Sequence, residues 1–266
     1  MRLITWNVAR RGSRIAEQAS AVARREPSIV ALQEVTRQTL ALWRHAFALM
    51  GLGHVKSSLD RADPAREPRS RRTTGVMLAS RESLNEPEVS LAAPWPETVL
   101  GALTDTDAGP VEVVCAHVPN AANGEIKPRT LQAIRAGVAC AAAAPRIVCG
   151  DLNTPRRELT DGRVISFARD RQGRLRPDRG AEWDAAELGV VPGLRELGYR
   201  DAYRTLHGYE RAEASWTWRR IAGHDGGWRL DHIFASPALR VIACRYHHDW
   251  RDDGLSDHSA LEADFR

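Results

Sequence analysis

The sequence predicts an α/β fold in which a mixed β-sheet or sheets are covered by helices. Short apolar runs bounded by turn-forming residues are typical of buried strands, and between some of them apolar residues recur with the period of a helix. Strands and helices alternate only in part, which favours a mixed arrangement over one parallel sheet. The 266 residues, 43% of them hydrophobic, suffice for a substantial core, and no linker or repeat divides the chain. We therefore expect a single domain over residues 1–266.

The predicted strands are continuous apolar runs, as expected for strands that are buried on both faces. They are Leu3 to Trp6, Ile29 to Leu32, Gly75 to Leu78, Val111 to Ala116, Ile147 to Cys149, Ile233 to Ala235 and Ser259 to Leu261.

The predicted helices follow from apolar stripes with helical spacing. One stripe consists of Ile15, Ala19 and Val22 and ends at Pro27. A second consists of Leu40, Trp43, Phe47 and Met50 and ends at Gly51. A third helix has Pro128 in its first turn, presents Leu131, Ile134 and Val138 on one face, and is expected to stop at Pro145.

The composition excludes several classes of protein. No apolar run approaches the roughly 20 residues that cross a bilayer, and no signal-peptide region follows Met1. The four cysteines, Cys115, Cys140, Cys149 and Cys244, lie far apart and form no C-x-x-C pair. That spacing argues against a disulfide framework and against a zinc site. We expect a cytoplasmic protein that does not associate with membranes.

The charge pattern gives a mild indication of a polyanionic partner. The net charge is +4, and almost all positive charge is arginine, because Lys56 and Lys127 are the only lysines. Arginine makes bidentate contacts with phosphate, although a GC-rich coding sequence would produce the same bias. Two arginine-rich segments with little apolar content, residues 60–72 and 156–179, are expected to be surface loops.

Polar residues stand just past several of the predicted strands. Asn7, Glu34 and His117 each follow an apolar run, and Asp151 with Asn153 follows another. Loops beyond strand ends are where sites are usually built on layered α/β scaffolds, because the sheet fixes their positions. Asp231 and the pair Asp257-His258 complete the set.

This inventory of oxygen ligands with histidines suits a hard divalent ion, Mg²⁺ or Mn²⁺, better than zinc. Such an ion neutralises charge on phosphoryl oxygens, a carboxylate orients or deprotonates water, and a charged imidazole holds a non-bridging oxygen. The pattern therefore indicates hydrolysis of phosphate esters. Taken singly, each residue also has a plain structural interpretation. Asn7 suits a turn, Glu34 suits a helix start, and Asp257-His258 suits a surface loop.

The ordered series of motifs resembles the endonuclease/exonuclease/phosphatase superfamily, and within it the exonuclease III-like apurinic/apyrimidinic endonucleases. The matching pieces span almost the whole chain. They are Thr5-Trp6-Asn7-Val8, Leu32-Gln33-Glu34-Val35, Thr74-Gly75-Val76-Met77-Leu78, His117-Val118-Pro119-Asn120, Gly150-Asp151-Leu152-Asn153, Trp228-Arg229-Leu230-Asp231 and Ser256-Asp257-His258.

The resemblance implies a DNase I-like, four-layer sandwich, with two mixed sheets packed face to face, helices outside and a metal site at one end of the sheets. It implies that Glu34 is the principal metal ligand, with Asn7 and Asp257 close to the ion. Asp151 would activate or orient the attacking water, and Asn153 would position that water and the phosphate. His258, held by Asp231, would contact the phosphoryl group, and an aspartate partner favours the charged imidazole.

The chain departs from the family pattern at positions that handle substrate. A tyrosine is usual where His117 stands, and histidine there is more typical of the DNase I-like and tyrosyl-DNA phosphodiesterase-like branches. An acidic residue is common where this chain has Ala9, so a second metal-site carboxylate is missing, which argues against a two-metal site. Ser215 stands where an aromatic pocket wall is usual, which predicts a looser pocket or a pocket with another role.

Aromatic residues near the last motifs have two interpretations. Trp216 and Trp218 are expected to be core residues. In the resembled endonucleases, the residues that match Trp228 and Leu230 line the pocket for a flipped-out sugar, so these two are candidate substrate contacts.

We expect a Mg²⁺- or Mn²⁺-dependent phosphodiesterase that acts on nucleic acid. The first interpretation is an exonuclease III-like DNA endonuclease or 3′-exonuclease in DNA repair. Asn120 and the arginines Arg69, Arg71 and Arg72 are further expected substrate contacts. The alternatives are a tyrosyl-DNA phosphodiesterase-like, RNA or small-phosphoester hydrolase, and a non-catalytic member that only binds nucleic acid. We expect a monomer without an obligate protein partner.

Overall fold

Two β-sheets form the centre of the protein, which a computed structural model describes over residues 1–60, 74–87, 91–107, 109–221 and 224–266. The expected contacts Arg69, Arg71 and Arg72 lie outside these described residues. The strands are β1 (Arg2–Asn7), β2 (Ile29–Thr36), β3 (His54–Ser57), β4 (Thr74–Ser80), β5 (Val99–Thr106), β6 (Gly109–His117), β7 (Arg146–Asp151), β8 (Arg157–Glu158), β9 (Val164–Ile165), β10 (Arg200–Asp201), β11 (Trp216–Ile221), β12 (His224–Trp228), β13 (Asp231–Ala235), β14 (Val241–His247) and β15 (Ala260–Phe265). The helices are α1 (Ile15–Ala23), α2 (Arg37–Leu49), α3 (Ile126–Ala139), α4 (Gly180–Val190), α5 (Ala202–His207) and α6 (His248–Asp252).

Both central sheets are mixed, as predicted. The first sheet has the order β14-β15-β1-β2-β4-β3, and only its β1–β2 pair is parallel among the described strands. The second has the order β10-β13-β7-β6-β5, with a parallel β6–β7 pair between antiparallel neighbours. In each sheet the parallel pair lies at the centre, so the carboxyl ends of these strands point to the same edge.

The two sheets pack face to face, and helices cover their outer faces. Leu3 and Val76 of the first sheet share one buried cluster with Val113 and Ile147 of the second. A second cluster joins the outer face of the first sheet to α1 and α2, and a third joins the outer face of the second sheet to α3 and α4. Strands buried on both faces need continuous apolar sequence, which is why short apolar runs predicted them. The predicted four-layer sandwich is therefore confirmed.

The predicted helical stripes face these layers. Trp43 and Phe47 of α2 are buried against the first sheet, and burial of each such side chain stabilises the fold by about 1.5–3 kcal/mol. The expected end of the third helix is wrong, since α3 ends at Ala139 and the chain then becomes extended at Cys140. The Arg146 guanidinium stabilises this end, because it donates to the carbonyls of Val138 and Cys140 at 3.2 Å each.

The surface loop expected over residues 156–179 is only partly borne out. The segment forms the β8–β9 hairpin, and Ser166 and Ala168 are buried. Arg169 grips Asp184 of α4 with an Nη2–Oδ2 distance of 2.6 Å, and Ser166 donates to the same carboxylate at 2.5 Å. The buried Asp184 carboxylate therefore binds this arginine-rich segment to α4.

Among the described residues, no helix is long and apolar enough to cross a membrane.

Candidate active site

The candidate site lies where strand ends from both sheets meet. His117 ends β6, Asp151 ends β7 and Asp231 begins β13, and the strand register places the first and last of these on either side of Asp151. Asn7 ends β1 in the other sheet. Its side-chain amide donates to Asp151 at 2.9 Å, so one hydrogen bond joins the two sheets at the site.

Asp231, His258 and Asp151 form a hydrogen-bonded and electrostatic series. His258 Nδ1 lies 2.8 Å from Asp231 Oδ2, and its Nε2 lies 3.7 Å from Asp151 Oδ2. Burial lowers the pKa of His258, but the Asp231 and Asp151 carboxylates outweigh it and raise the pKa to about 10. The imidazole is therefore positively charged at neutral pH, and Asp231 fixes its orientation.

Asp151 has an unusually high pKa for a carboxyl group. Burial is the main cause and raises the pKa to about 6, while the charge of His258 opposes the rise and that of Asp231 adds to it. Its two oxygens accept hydrogen bonds from Asn153, one from the backbone amide at 2.9 Å and one from the side chain at 3.3 Å. A buried carboxylate with a pKa near the working pH is suited to accept a proton from water.

The backbone conformation of Asn153 allows this residue to donate two hydrogen bonds to Asp151. Its φ is +49°, a left-handed conformation that asparagine tolerates better than most residues. Its side chain also donates to the Val118 carbonyl at 2.8 Å, and the buried Lys127 donates to the Asn153 carbonyl at 2.7 Å. These contacts leave the expected role in positioning water and phosphate as a prediction.

Glu34 reaches the site from a β-bulge. The register between β2 and β4 shifts between Leu32 and Val35, and Glu34 has a φ of +57°. A bulge redirects a side chain out of the regular alternation, and here it directs Glu34 into the cleft. Asn7 donates to Glu34 Oε1 at 3.3 Å, and Arg10 Nε lies 2.9 Å from Oε2.

Most of the expected site residues line one cleft of about 640 Å³, here called the active-site cleft. The exceptions are Asn7 and Asp231, and the three arginines that lie outside the described residues. Asn7 and Asp231 are fully buried behind the lining. The lining includes Arg10, Glu34, Thr74, Trp95, His117, Asn120, Asp151, Asn153, Trp216, Trp228, Leu230, Asp257 and His258. His117 Nε2 lies 3.6 Å from Glu34 and 4.0 Å from Asp151, so it stands between the two carboxylates.

Two expected residues have structural contacts that sequence alone did not predict. The Asn7 side-chain Oδ1 accepts from the Ala9 amide at 3.0 Å, so its Nδ2 is left to donate to the Glu34 and Asp151 carboxylates. The Asn120 side chain accepts from the Ala122 amide at 3.1 Å and caps the short turn that follows.

Tryptophans form one wall of the cleft. The expectation that Trp216 and Trp218 belong to the core is wrong, because both are partly exposed and Trp216 lines the cleft. The Trp216 and Trp228 rings stack at 5.3 Å with an interplanar angle of 10°, and Trp218 packs against Trp228 at 4.5 Å. The Trp216 indole also donates to Asp257 at 3.2 Å. The hairpin of β11 and β12 holds these rings at the surface instead of in the core.

Ser215 lies behind the cleft and joins parts of the site, and the looser pocket expected from it stays a prediction. The residue is fully buried, and its hydroxyl accepts from the amides of Leu230 at 2.9 Å and Asp231 at 3.1 Å. Its carbonyl accepts from the Ser259 amide at 2.7 Å. Ser215 thus links the segment that carries Asp231 to the residue that follows His258.

The donor set fits a divalent cation. Asp151, Asp231 and His258 offer ligand atoms within 4.8 Å of one another, but a doubly protonated imidazole cannot coordinate a metal. The carboxylates of Glu34 and Asp257 face the same cleft and could join Asp151 in holding the ion. Carboxylate oxygens without cysteine suit Mg²⁺ or Mn²⁺.

Carboxylates and a charged imidazole in one cleft, at the end of two mixed sheets, suit metal-dependent hydrolysis of phosphodiesters. The Endonuclease/Exonuclease/phosphatase family matches residues 4–258, and the chain belongs to this family. The family depends on a divalent metal ion. The resemblance of the motifs to this superfamily is thereby confirmed, and the chain is an enzyme.

Solved structures share the fold across the whole chain. An AP endonuclease from Archaeoglobus fulgidus is 22% identical, with 100% of this chain and 99% of that chain covered and a TM-score of 0.73. The 3′ phosphatase NExo from Neisseria, bound to a product DNA hairpin, is 21% identical, with 100% and 99% covered and a TM-score of 0.68. TDP2 from D. rerio, complexed with a single-strand DNA product, is 17% identical, with 100% and 98% covered and a TM-score of 0.68. No match was found among curated protein sequences.

Proposed function

We propose that the protein hydrolyses phosphodiester bonds in DNA as an exonuclease III-like endonuclease or 3′-exonuclease of DNA repair, with Mg²⁺ or Mn²⁺. The observation that carries the proposal is the series Asp231–His258–Asp151 beside Glu34 in one cleft. A protein that only binds nucleic acid has no need of a charged imidazole held between two buried carboxylates. This arrangement therefore argues against the non-catalytic alternative.

Each residue has a defined part in the proposed reaction. When bound at Glu34 and Asp257, the divalent ion supplies positive charge that offsets the charge developing on the phosphate. Asp151 accepts the proton of the attacking water, and the hydrogen bonds from Asn7 and Asn153 hold its carboxylate in place. Because His258 is charged, its Nε2–H donates to a non-bridging phosphate oxygen.

Nucleic acid is the proposed substrate because of the walls of the cleft. The stacked rings of Trp216 and Trp228 offer an aromatic face on which a base or sugar packs, and Leu230 adds an apolar contact. Asn120 and the arginines Arg69, Arg71 and Arg72 stay predicted contacts to the nucleic acid. The structural neighbours include an AP endonuclease and two proteins bound to product DNA, which supports the same class of substrate.

A second candidate function is hydrolysis of a 5′-tyrosyl-DNA adduct, RNA or a small phosphoester. His117 favours it, since the side chain lies between Glu34 and Asp151 where it would meet the phosphate.

A panel of end-labelled substrates tests the proposal. Wild type and Glu34→Gln are incubated with Mg²⁺ or Mn²⁺ and abasic duplex, nicked duplex, single strand, RNA or 5′-tyrosyl DNA. Incision at the abasic site or removal of 3′ nucleotides by wild type, lost in Glu34→Gln and in EDTA, supports the proposal. Preference for 5′-tyrosyl DNA or RNA supports the second candidate. Absence of metal-dependent hydrolysis on every substrate overturns both.

A further inference from the structure

Arg10 places a positive charge at the point where the proposed metal ligand faces the cleft. Its Nε lies 2.9 Å from Glu34 Oε2, and its side chain is 48% exposed. It lines the same cleft as Asp151 and His258. No sequence motif singled out this residue, because its contact with Glu34 depends on the β-bulge that turns Glu34 into the cleft.

The backbone fixes Arg10 in this position. Ala9 and Arg10 have φ values of +53° and +56°, a left-handed conformation that is unfavourable for residues with a Cβ. The Ala9 amide bonds to the Asn7 side chain at 3.0 Å, and the Gly12 amide bonds to the Arg10 carbonyl at 2.9 Å. Strained backbone persists where surrounding contacts hold it, and such residues cluster at functional sites. The backbone of Arg10 is therefore held beside the cleft, which keeps its guanidinium within reach of the cleft when its partner changes.

Both oxygens of Glu34 are occupied in this arrangement. Asn7 donates to Oε1 at 3.3 Å, and Arg10 pairs with Oε2. A divalent ion that binds Glu34 has to displace the guanidinium from Oε2, because two cations cannot share one carboxylate oxygen without repulsion. A displaced guanidinium keeps its charge and its planar set of donors, which match the oxygens of a phosphate.

We propose that Arg10 is a phosphate-binding residue whose guanidinium exchanges Glu34 for the substrate phosphate when the divalent ion binds. This inference rests on the proposed function of the same cleft. It also requires a coupling between the two ligands. Phosphate that engages Arg10 frees Glu34 for the ion, and the ion that takes Glu34 frees Arg10 for phosphate, so each ligand strengthens binding of the other.

Binding measurements without catalysis test the exchange. Mn²⁺ binding to the protein alone is followed by electron paramagnetic resonance, and binding of thymidine 5′-monophosphate is followed by calorimetry in saturating Mn²⁺. The variants are Arg10→Gln, Arg10→Lys and Glu34→Gln, with Arg14→Gln as the control. Arg14 is an exposed arginine of the same segment that pairs with Glu17, so its loss changes net charge equally. Circular dichroism verifies that each variant is folded.

For Arg10→Gln we expect Mn²⁺ to bind about two- to fivefold more tightly than to wild type, the range for loss of a partly exposed ion pair. We expect the nucleotide to bind roughly three- to tenfold more weakly, because a charge-assisted hydrogen bond to phosphate is lost. Arg10→Lys keeps the competing charge, so its Mn²⁺ affinity stays at the wild-type value while nucleotide binding weakens. Arg14→Gln matches wild type in both.

Two results overturn the inference. Unchanged or weaker Mn²⁺ binding in Arg10→Gln shows that the guanidinium does not compete with the ion, and unchanged nucleotide binding shows that it does not bind phosphate. If Glu34→Gln loses Mn²⁺ binding and either result is found, the inference about Arg10 is overturned while the proposed metal centre stands. Wild-type Mn²⁺ binding by Glu34→Gln overturns the proposed metal centre as well.

Discussion

His258 keeps its proton because it lies between two carboxylates. Asp231 bonds to Nδ1 at 2.8 Å, and Asp151 lies 3.7 Å from Nε2. Their charges outweigh burial, which acts in the opposite direction, and the pKa of His258 rises to about 10. The form that donates to phosphate is therefore present below that pH and is lost as the pH rises through it.

Removal of the Asp231 charge should move the alkaline side of the pH–rate profile. In Asp231→Asn the pKa of His258 falls, because the largest cause that raises it is gone. We expect the loss of activity at high pH to begin about 1 to 3 pH units lower than in wild type. Single-turnover rates across pH in constant Mn²⁺ measure this shift. An alkaline limb at the same pH in both proteins would mean that Asp231 does not hold the proton on His258.

At the scale of elements, Ser215 ties the end of one segment to the start of another. It precedes β11, its hydroxyl accepts from the first amide of β13, and its carbonyl accepts from the residue before β15. These bonds fix the spacing between Asp231 and His258. Ser215 makes them to backbone amides and not to the side chains of Asp231 or His258. Ser215 is therefore a positioning residue.

Ser215→Ala should loosen this spacing. Loss of the hydroxyl leaves two buried amides without their acceptor, at a cost of about 1–3 kcal/mol for each. We expect kcat to fall about tenfold. We also expect the alkaline limb of the pH–rate profile to move to lower pH, because the hydrogen bond between His258 and Asp231 is weakened. Ser236→Ala is the matched control, since the Ser236 hydroxyl accepts from the Arg146 amide at the far end of the same sheet. If both variants lose stability but neither shifts the pH profile, Ser215 has no positioning role.

The elements that sequence predicted are those with uniform apolar faces. All the predicted strands lie in observed ones, apart from Ser259, which immediately precedes β15. Helix α4 was not predicted because its inward face carries charge. Glu187 is fully buried there and pairs with Lys127 at 2.8 Å, and Asp184 binds Arg169, so the hydrophobic period is interrupted.

The candidate site, like the fold, has parts that the sequence predicted and parts that it did not. Residues at strand ends were predictable, since a strand fixes where its last side chain lies. Arg10 and Trp95 were found only in the tertiary structure, because the bulge turns Glu34 towards Arg10 and a loop brings Trp95 to the cleft. The sequence pointed to Ser215 but not to its hydrogen bonds with the segment that carries Asp231. Trp216 was misassigned because an aromatic residue in a strand-like run resembles core until the sheet to which it belongs is known.

At the scale of the whole molecule, a buried ionic network joins the β8–β9 hairpin to the second sheet. Arg229 contacts Glu158 and Asp201 at 2.6 Å each, and Arg204 reaches Glu158 at 2.6 Å. Burial raises the pKa of Glu158, but Arg229 and Arg204 outweigh it and hold the pKa at about 2. A depressed carboxyl pKa stabilises the folded state above the ordinary pKa, and that stability is lost as the pH falls towards the folded value.

Glu158→Gln should therefore destabilise the protein in a pH-dependent way. We expect its free energy of unfolding to be about 2–3 kcal/mol below wild type at pH 7. The difference should shrink as the pH falls from about 4.5 towards 2. Urea unfolding at several pH values measures it, with Glu125→Gln, an exposed glutamate paired with Arg129, as the control. A difference that stays constant across this range would show that the Glu158 charge does not contribute.

The account as a whole depends on Asp151 as the group that takes the proton of the attacking water. The most direct test is the single-turnover cleavage rate of Asp151→Asn with Mn²⁺ and the best substrate of the panel, compared with wild type and with Asp161→Asn, an exposed aspartate paired with Arg163. Substrate binding is measured on the same samples. We expect Asp151→Asn to bind substrate and to cleave it about 10²–10⁴-fold more slowly, while Asp161→Asn matches wild type. Cleavage by Asp151→Asn within a fewfold of the wild-type rate would contradict the account.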